Sequence, residues 1–349
     1  MHTDKANANQ PTVLVTGATG LVGSHLLAEL SNKAYHIKAL RRKSSDLGLV
    51  KRVIGLYCKN PQQAFDAIEW MEGDMLDVLF LESAINGIQT VYHCAAVVSF
   101  QPSMRQKMHH FNTRSTANLV NVLVEKGGIS LCHVSSIAAL GREEQGQAIN
   151  ENTLWKSSKN QSAYAISKYA SEREVWRGIA EGLEAVIINP SIILGPGDWK
   201  SGSSELFGIV WRGLHFYTAG RTGYVDVRDV AEAMVQLVEN KHFGQRFILS
   251  SENMGYLDFF TQVANALNKR PPRFKVHGWM TEIAWRLIAI GRIFSNNMPS
   301  VTRETSRSAL KRKSFSSERL INTLDFRFIP IADSINHIAI LFLEDHQSR

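Results

Sequence analysis

The segment "SAYAISKYASE" sets Tyr164 and Lys168 four residues apart, a spacing that puts both side chains on one face of a helix. A phenol ionises near pH ~10 and is a poor proton donor or acceptor at neutrality. An ammonium group beside it stabilises the phenolate and lowers that value, which suits the pair to moving a proton. Upstream, the run "SLCHV" leads into Ser135 and Ser136. A hydroxyl at the carboxyl end of a strand in an α/β sheet faces the crevice where ligands bind. Tyr-x-x-x-Lys alone recurs by chance, so its meaning depends on the elements around it.

The first of these is "PTVLVTGATGLVGSHLLAEL", residues 11–30. An apolar run enters a cluster holding Gly17, Gly20 and Gly23 and leaves as a helical apolar stripe. A helix N-terminus exposes unpaired N–H groups and a partial positive charge. A phosphate reaches it only where the preceding turn carries no obstructing side chains. The spacing therefore predicts a pyrophosphate site between a first strand and a first helix, with Gly23 allowing close packing of helix on sheet. The second strand ends "HIKALRRKSS". An acidic residue there would bind the ribose hydroxyls of NAD. Arg41 and Arg42 occupy the place instead, and a guanidinium pairs with a 2′-phosphate. This favours NADP(H), with NAD(H) as the other possibility.

Strand-like apolar runs recur at 12–16, 35–40, 67–71, 89–95, 129–135, 184–190 and 246–250. Segments of helical periodicity, such as 76–86, 104–126 and 164–181, lie between them. Strand alternating with helix predicts an α/β chain with a parallel sheet covered on both faces. After about residue 191 the alternation weakens and Gly, Pro and aromatics become frequent, as in "LGPGDWKSGSSELFG". Such composition suits substrate-shaping loops and a smaller second lobe.

With 349 residues, 44% of them hydrophobic, the chain can bury a large core. Its net charge is +7, but no nucleic-acid motif accompanies that charge, so no nucleic-acid partner is expected. The first ten residues are polar and do not read as a signal peptide. Three cysteines, Cys58, Cys94 and Cys132, read as unpaired, metal-free core thiols of a cytoplasmic protein. The pairs His93-Cys94 and Cys132-His133 lie in strand-like runs, where neighbours point to opposite faces. Residues 279–294, "WMTEIAWRLIAIGRIF", carry three charges and fall short of the ~20 apolar residues of a span. They read as an amphipathic helix, touching either a membrane surface or the substrate pocket, with no stable membrane span.

Taken together, these motifs resemble the extended short-chain dehydrogenase/reductase (NAD-dependent epimerase/dehydratase) family. The resemblance rests on Thr16-Gly-Ala-Thr-Gly-Leu-Val-Gly23, Gly73-Asp74, His93-Cys-Ala-Ala96, Ser135-Ser136, Tyr164-Ala-Ile-Ser-Lys168, Asn189-Pro-Ser191 and Tyr224-Val-Asp-Val-Arg-Asp229. "IKALRRKS" and the late segment "SFSSERLINTLDFRFIPIADSI" are most similar to the dihydroflavonol 4-reductase-like and 3β-hydroxysteroid dehydrogenase-like branch. One departure is Leu140 before Gly141, where family members often carry a tyrosine two residues before that glycine.

The resemblance implies a Rossmann doubly wound parallel sheet spanning residues 11–190. Residues 222–250 would return to it, and 191–221 with 251–349 would form a smaller C-terminal α/β substrate lobe. It implies that Tyr164 exchanges the proton, that Lys168 holds the nicotinamide ribose and tunes Tyr164, and that Ser136 holds the substrate oxygen. Asn112 of "HFNTRSTANL" corresponds to a helix asparagine near the active site. The cofactor would lie along Gly17, Thr19, Gly20, Leu21, Val22 and Gly23. It would continue past Arg41, Arg42, Asp74, Met75, Ala95, Ala96, Pro190 and Ser191.

The expected activity is NADPH-linked reduction of a ketone or aldehyde, or its reverse, on a small carbonyl or alcohol, by a monomer or homodimer. The alternative is a nucleotide-sugar epimerase or dehydratase with tightly held NAD. Arg41 and Arg42 weigh against it, and only Arg212 and Arg221 offer themselves as a diphosphate clamp. Asp226 and Asp229 read as structural hydrogen-bonding carboxylates.

Overall fold

The computed structural model describes residues 10–33, 35–141, 146–156, 161–277, 280 and 308–347. The amphipathic segment 279–294 lies, apart from Met280, outside the described residues.

The strands run β1 (Thr12–Thr16), β2 (His36–Arg41), β3 (Glu69–Glu72), β4 (Thr90–His93), β5 (Ser130–Val134) and β6 (Ala185–Pro190). They continue as β7 (Ile192–Leu194), β8 (Phe216–Tyr217), β9 (Arg221–Asp226), β10 (Gln245–Leu249), β11 (Glu252–Gly255) and β12 (Phe274–Lys275). The helices are α1 (Leu21–Asn32), α2 (Gly48–Tyr57), α3 (Pro61–Asp66), α4 (Val78–Ala84), α5 (Arg105–Lys126) and α6 (Ala163–Ala180). After them come α7 (Glu205–Trp211), α8 (Val227–Glu239), α9 (Tyr256–Ala266), α10 (Glu318–Leu324) and α11 (Ile331–Gln347).

Seven strands form one parallel sheet in the order β10-β6-β5-β4-β1-β2-β3, the Rossmann arrangement. Each of the seven apolar runs in the sequence supplies one of these strands. Side chains alternate along them. Val13, Val15 and Cys132 join α1, α2 and α8 in one core. Leu14, Val91 and Leu131 join α4, α5 and α6 in the other. Burial on both faces is why the runs are almost continuously apolar. The strand order reverses between β1 and β4, so their carboxyl ends open a crevice at the switch point.

A third core lies beyond the sheet. Leu194, Phe207, Tyr224, Phe259, Ile335 and Phe342 bring together α7, α9, α11 and the small sheet β11-β9-β7. Asp226 links this core to the sheet: its carboxylate accepts from Arg228 Nε (2.9 Å), Arg228 Nη2 (2.7 Å) and Ser334 Oγ of α11 (2.6 Å). Asp229 accepts from the Ile329 amide at 3.0 Å, and burial pushes its carboxyl up to about 7. Both carboxylates thus hold chain segments together. Among the described residues no helix is long and apolar enough to cross a membrane.

The turn after β1 is tightly packed. Gly17 has φ +66°, and a Cβ there would lie 2.6 Å from the Ala95 amide nitrogen. A Cβ on Gly23 would run into the Gly17 carbonyl oxygen. Gly23→Ala should therefore lower unfolding stability by about 1–3 kcal/mol through overpacking, seen as a lower urea midpoint with unchanged slope.

Candidate active site

Gly20 caps α1 in extended conformation, φ −87° and ψ 177°, with no side-chain cap hydrogen bond. The amides of Leu21, Val22 and Gly23 open the helix, where N–H groups have no intrahelical acceptor. Thr19, Leu21 and Val22 are partly exposed around this turn. A cradle that a side chain at Gly17 would obstruct, closed by an uncapped helix start, fits a pyrophosphate.

Beside it a cavity of about 550 Å³ is lined by Arg42, Lys43, Ser44, Glu72, Gly73 and Asp74. The two arginines expected to act together are divided. Arg41 ends β2 and pairs with Glu72 at 3.4 Å, with its Nε buried. Arg42 is exposed on the cavity wall, its backbone amide tied to Ser45 Oγ at 3.1 Å. Asp74 turns the chain by accepting from the Leu76 amide at 2.9 Å, and Met75 is buried behind it.

The end of β4 is fixed by a buried polar chain. Thr116 Oγ1 of α5 donates to the Asn112 carbonyl at 2.9 Å. Its one hydroxyl hydrogen is thereby used, so His93 Nε2 donates to it at 3.0 Å. His93 Nδ1 then accepts from Thr16 Oγ1 at 2.7 Å, and Thr16 accepts from the Ala95 amide at 3.3 Å. Burial holds His93 neutral, with its pKa down to about 3. The Asn112 side chain clamps Val97, accepting from its amide at 2.7 Å and donating to its carbonyl at 2.9 Å. It also donates to Ser167 Oγ at 3.2 Å, and that hydroxyl donates to the Tyr164 carbonyl at 2.9 Å. Asn112 thus joins the loop carrying Ala95 and Ala96 to the helix carrying Tyr164. Of this chain the sequence motifs hold Thr16, His93 and Asn112, and only Asn112 reads as an active-site residue. His93 stood in the quoted motif, but nothing there marked it as the link.

Ser162 starts α6 by accepting from the Ala165 amide at 3.1 Å. One turn in, Tyr164 is partly exposed and Lys168 is buried. Ser136 Oγ accepts from the Ala138 amide at 3.1 Å and lies close enough to the Tyr164 hydroxyl to favour its phenolate. Burial raises the phenol's pKa, and the Ser136 contact opposes that rise. Lys168 Nζ donates to the Val134 carbonyl at 2.9 Å. Its burial brings the ammonium down to about 8, against the attraction of Cys94 and Glu172. The Phe100 ring lies 5.8 Å from that of Tyr164 and walls the mouth of the site. Pro190 and Ser191 are buried at the end of β6.

Cys58, Cys94 and Cys132 are free thiols. Cys94 and Cys132 pack in the α1 and α8 core, while His93 bonds across to α5. Burial pushes the Cys94 thiol up to about 12. Among the described residues no His, Cys, Asp and Glu cluster fits a metal ion.

Fold and crevice define a dinucleotide-dependent enzyme of the extended short-chain dehydrogenase/reductase type. The chain belongs to the NAD dependent epimerase/dehydratase family, whose model matches residues 13–249. It is 28% identical over 244 residues to sterol demethylase protein B of Methylococcus capsulatus, covering 69% of this chain and 70% of that protein. It is 28% identical over 279 residues to a putative dihydroflavonol 4-reductase of Synechocystis, covering 78% and 77%. The solved structure of gox2253 matches with TM-score 0.79 and 28% identity over 97% of this chain and 99% of that one. The dTDP-glucose 4,6-dehydratase of Bacillus anthracis, solved in complex with NAD, shares the fold at TM-score 0.74 and 15% identity, covering 97% and 98%.

The Lys168 ammonium is present below about pH 8 and is lost above it. Cofactor affinity should weaken about fivefold as pH rises from well below to well above that value, the difference between a charged and a neutral hydrogen bond. Fluorescence titration of NADPH should show this slope in the native enzyme and a flat profile in Lys168→Met.

Proposed function

We propose that the protein is an NADPH-dependent carbonyl reductase of the cytoplasm, acting reversibly on a ketone or aldehyde as a monomer or homodimer. The observation that supports this most is the meeting of Ser136 and Tyr164 hydroxyls, one helical turn from a buried Lys168, at the switch point of the sheet. In this reading the cofactor lies from the Gly17–Gly23 turn to Pro190 and Ser191, and the nicotinamide supplies or accepts the hydride when bound. The Ser136 hydroxyl holds the substrate oxygen. Tyr164 donates the proton to that oxygen in reduction and takes it back in oxidation. Lys168, anchored on the Val134 carbonyl, presents its ammonium to the ribose. Residues 191–221 and 251–349, with the separate apolar core, form the substrate lobe.

NADPH preference rests on Arg42 and Lys43. Arg41 is engaged by Glu72, so the exposed Arg42 is the guanidinium free to meet a 2′-phosphate. The competing reading, sugar-nucleotide epimerisation or dehydration, needs a diphosphate clamp. Arg212 pairs with Glu205 at 3.8 Å, and Arg221 Nη2 donates to the Asn253 carbonyl at 2.9 Å.

Two experiments test the reading. Arg42→Ala should weaken NADPH binding by about 1.5–3 kcal/mol and leave NADH unchanged, with Arg41→Ala having the smaller effect. Equal affinity of the native protein for both cofactors would sink the preference. Tyr164→Phe should lower kcat by about 10²–10⁴-fold at unchanged cofactor affinity, on a substrate found among aromatic ketones, steroids and small aldehydes. Wild-type turnover by this variant would refute the proton-transfer role. Epimerisation of a UDP-sugar without carbonyl reduction would put the competing reading in its place.

A further inference from the structure

We infer that Glu172 is a positioning residue that holds Ser136 against Tyr164 through a buried carboxylate gripped by four donors. The inference rests on the serine role proposed above. Glu172 lies one turn beyond Lys168 and two beyond Tyr164 on α6, and its side chain is only 3% exposed. Its Oε2 accepts from Ser135 Oγ at 2.5 Å and from Asn189 Nδ2 at 2.8 Å. Its Oε1 accepts from Trp176 Nε1 at 3.2 Å and from Arg246 Nη1 at 3.1 Å. The same Asn189 amide group donates to the Ser136 carbonyl at 3.0 Å. Ser136 is therefore held twice, through its neighbour Ser135 and through its own carbonyl, and both ties end on one carboxylate oxygen.

The partner set demands a charge. Indole and guanidinium nitrogens only donate, and the Asn189 group facing Glu172 is the NH₂ that also reaches Ser136. An amide at position 172 would turn its own NH₂ against either Arg246 and Trp176 or Asn189. Relief on the Asn189 side requires that amide to flip. Its oxygen would then face the Ser136 carbonyl, and the tie to Ser136 would be lost. The charged groups acting on Glu172 are Arg246 from β10 and Lys168 on its own helix. Arg246 is itself seated, with Nε and Nη2 donating to the Glu151 carbonyl at 2.8 and 2.6 Å. A buried ion pair alone is weak grounds for a role. Here the shared Asn189 link to the reacting serine's backbone distinguishes it.

The test is a double-mutant cycle of Glu172→Gln and Ser136→Ala with two readouts. One is steady-state NADPH-linked reduction of a carbonyl from the panel above. The other needs no substrate: phenolate absorbance of Tyr164 against pH, taken as the difference from the same protein carrying Tyr164→Phe. Glu172→Gln should raise the pH at which Tyr164 ionises and, assayed well below the Lys168 transition so that its ammonium is kept, should lower kcat about tenfold to a hundredfold with the NADPH KM within about twofold. In the Ser136→Ala background it should change neither. Equal effects in both backgrounds, or none in the first, would overturn the inference. If Ser136→Ala alone keeps full turnover, the serine's catalytic role fails and the Tyr164 titration still decides for Glu172. Should Glu172→Gln not fold, Ser135→Ala, which removes one donor and keeps the charge, should give the same pattern at about threefold amplitude.

Discussion

The approach of the Gly17 backbone to Ala95 is the constraint on which the rest of the structure depends. A doubly wound parallel sheet reverses its direction of winding once, and here β1 and β4 lie side by side at that point. The chains leaving them diverge to opposite faces and open a crevice. Space for a dinucleotide remains only if the first turn stays flat against the second. Gly17 does so with a positive φ and no side chain, and Gly23 lets α1 descend onto the same turn. The Thr16–His93–Thr116 chain then fixes the depth of that contact by hydrogen bonds, which an apolar core cannot do with the same directionality.

Electrostatics follows from this packing. Lys168 sits in a region where burial disfavours its charge, and its Nζ donates a hydrogen bond to the Val134 carbonyl at 2.9 Å. Tyr164 meets the same penalty with opposite sign, since burial disfavours a phenolate. Both groups are therefore drawn towards neutrality by their surroundings, from opposite directions. The carboxylates elsewhere show the contrast. Asp226 keeps its charge because Arg228 and Ser334 bind it directly, and its pKa stays below the usual value despite burial.

The sheet was legible in the sequence because strands buried on both faces are written as apolar runs, and a run is a local pattern. The glycine turn was legible for the same reason, since its spacing lies within eight residues. Tyr164 and Lys168 share one helix face, so their relation is again local. Glu172 carried no such sign. Its partners come from the turn after β5, from β6, α6 and β10, at positions 135, 189, 176 and 246, and only the folded sheet brings them together. Burial likewise raises the Tyr164 pKa, an effect no local sequence pattern shows. Charge attraction can be guessed from a sequence, whereas desolvation depends on what covers the group.

Arg41 and Arg42 show how far a local pattern reaches. As letters they are equivalent, two cations at the end of a strand. In the sheet they cannot be, because successive side chains of a strand point to opposite faces. Arg41 is the last residue of β2 and registers against Glu72 of β3, so its guanidinium finds that carboxylate at 3.4 Å. Arg42 has left the ladder, and its side chain is exposed beside the cavity that Asp74 and Gly73 complete. An exposed ion pair such as Arg41–Glu72 contributes little to stability. Its consequence is selective: it withdraws one cation and places one carboxylate near the cavity rim. A 2′-phosphate in that cavity would meet Arg42 and Lys43 against the repulsion of Glu72, so the balance of these three side chains would decide between NADP(H) and NAD(H).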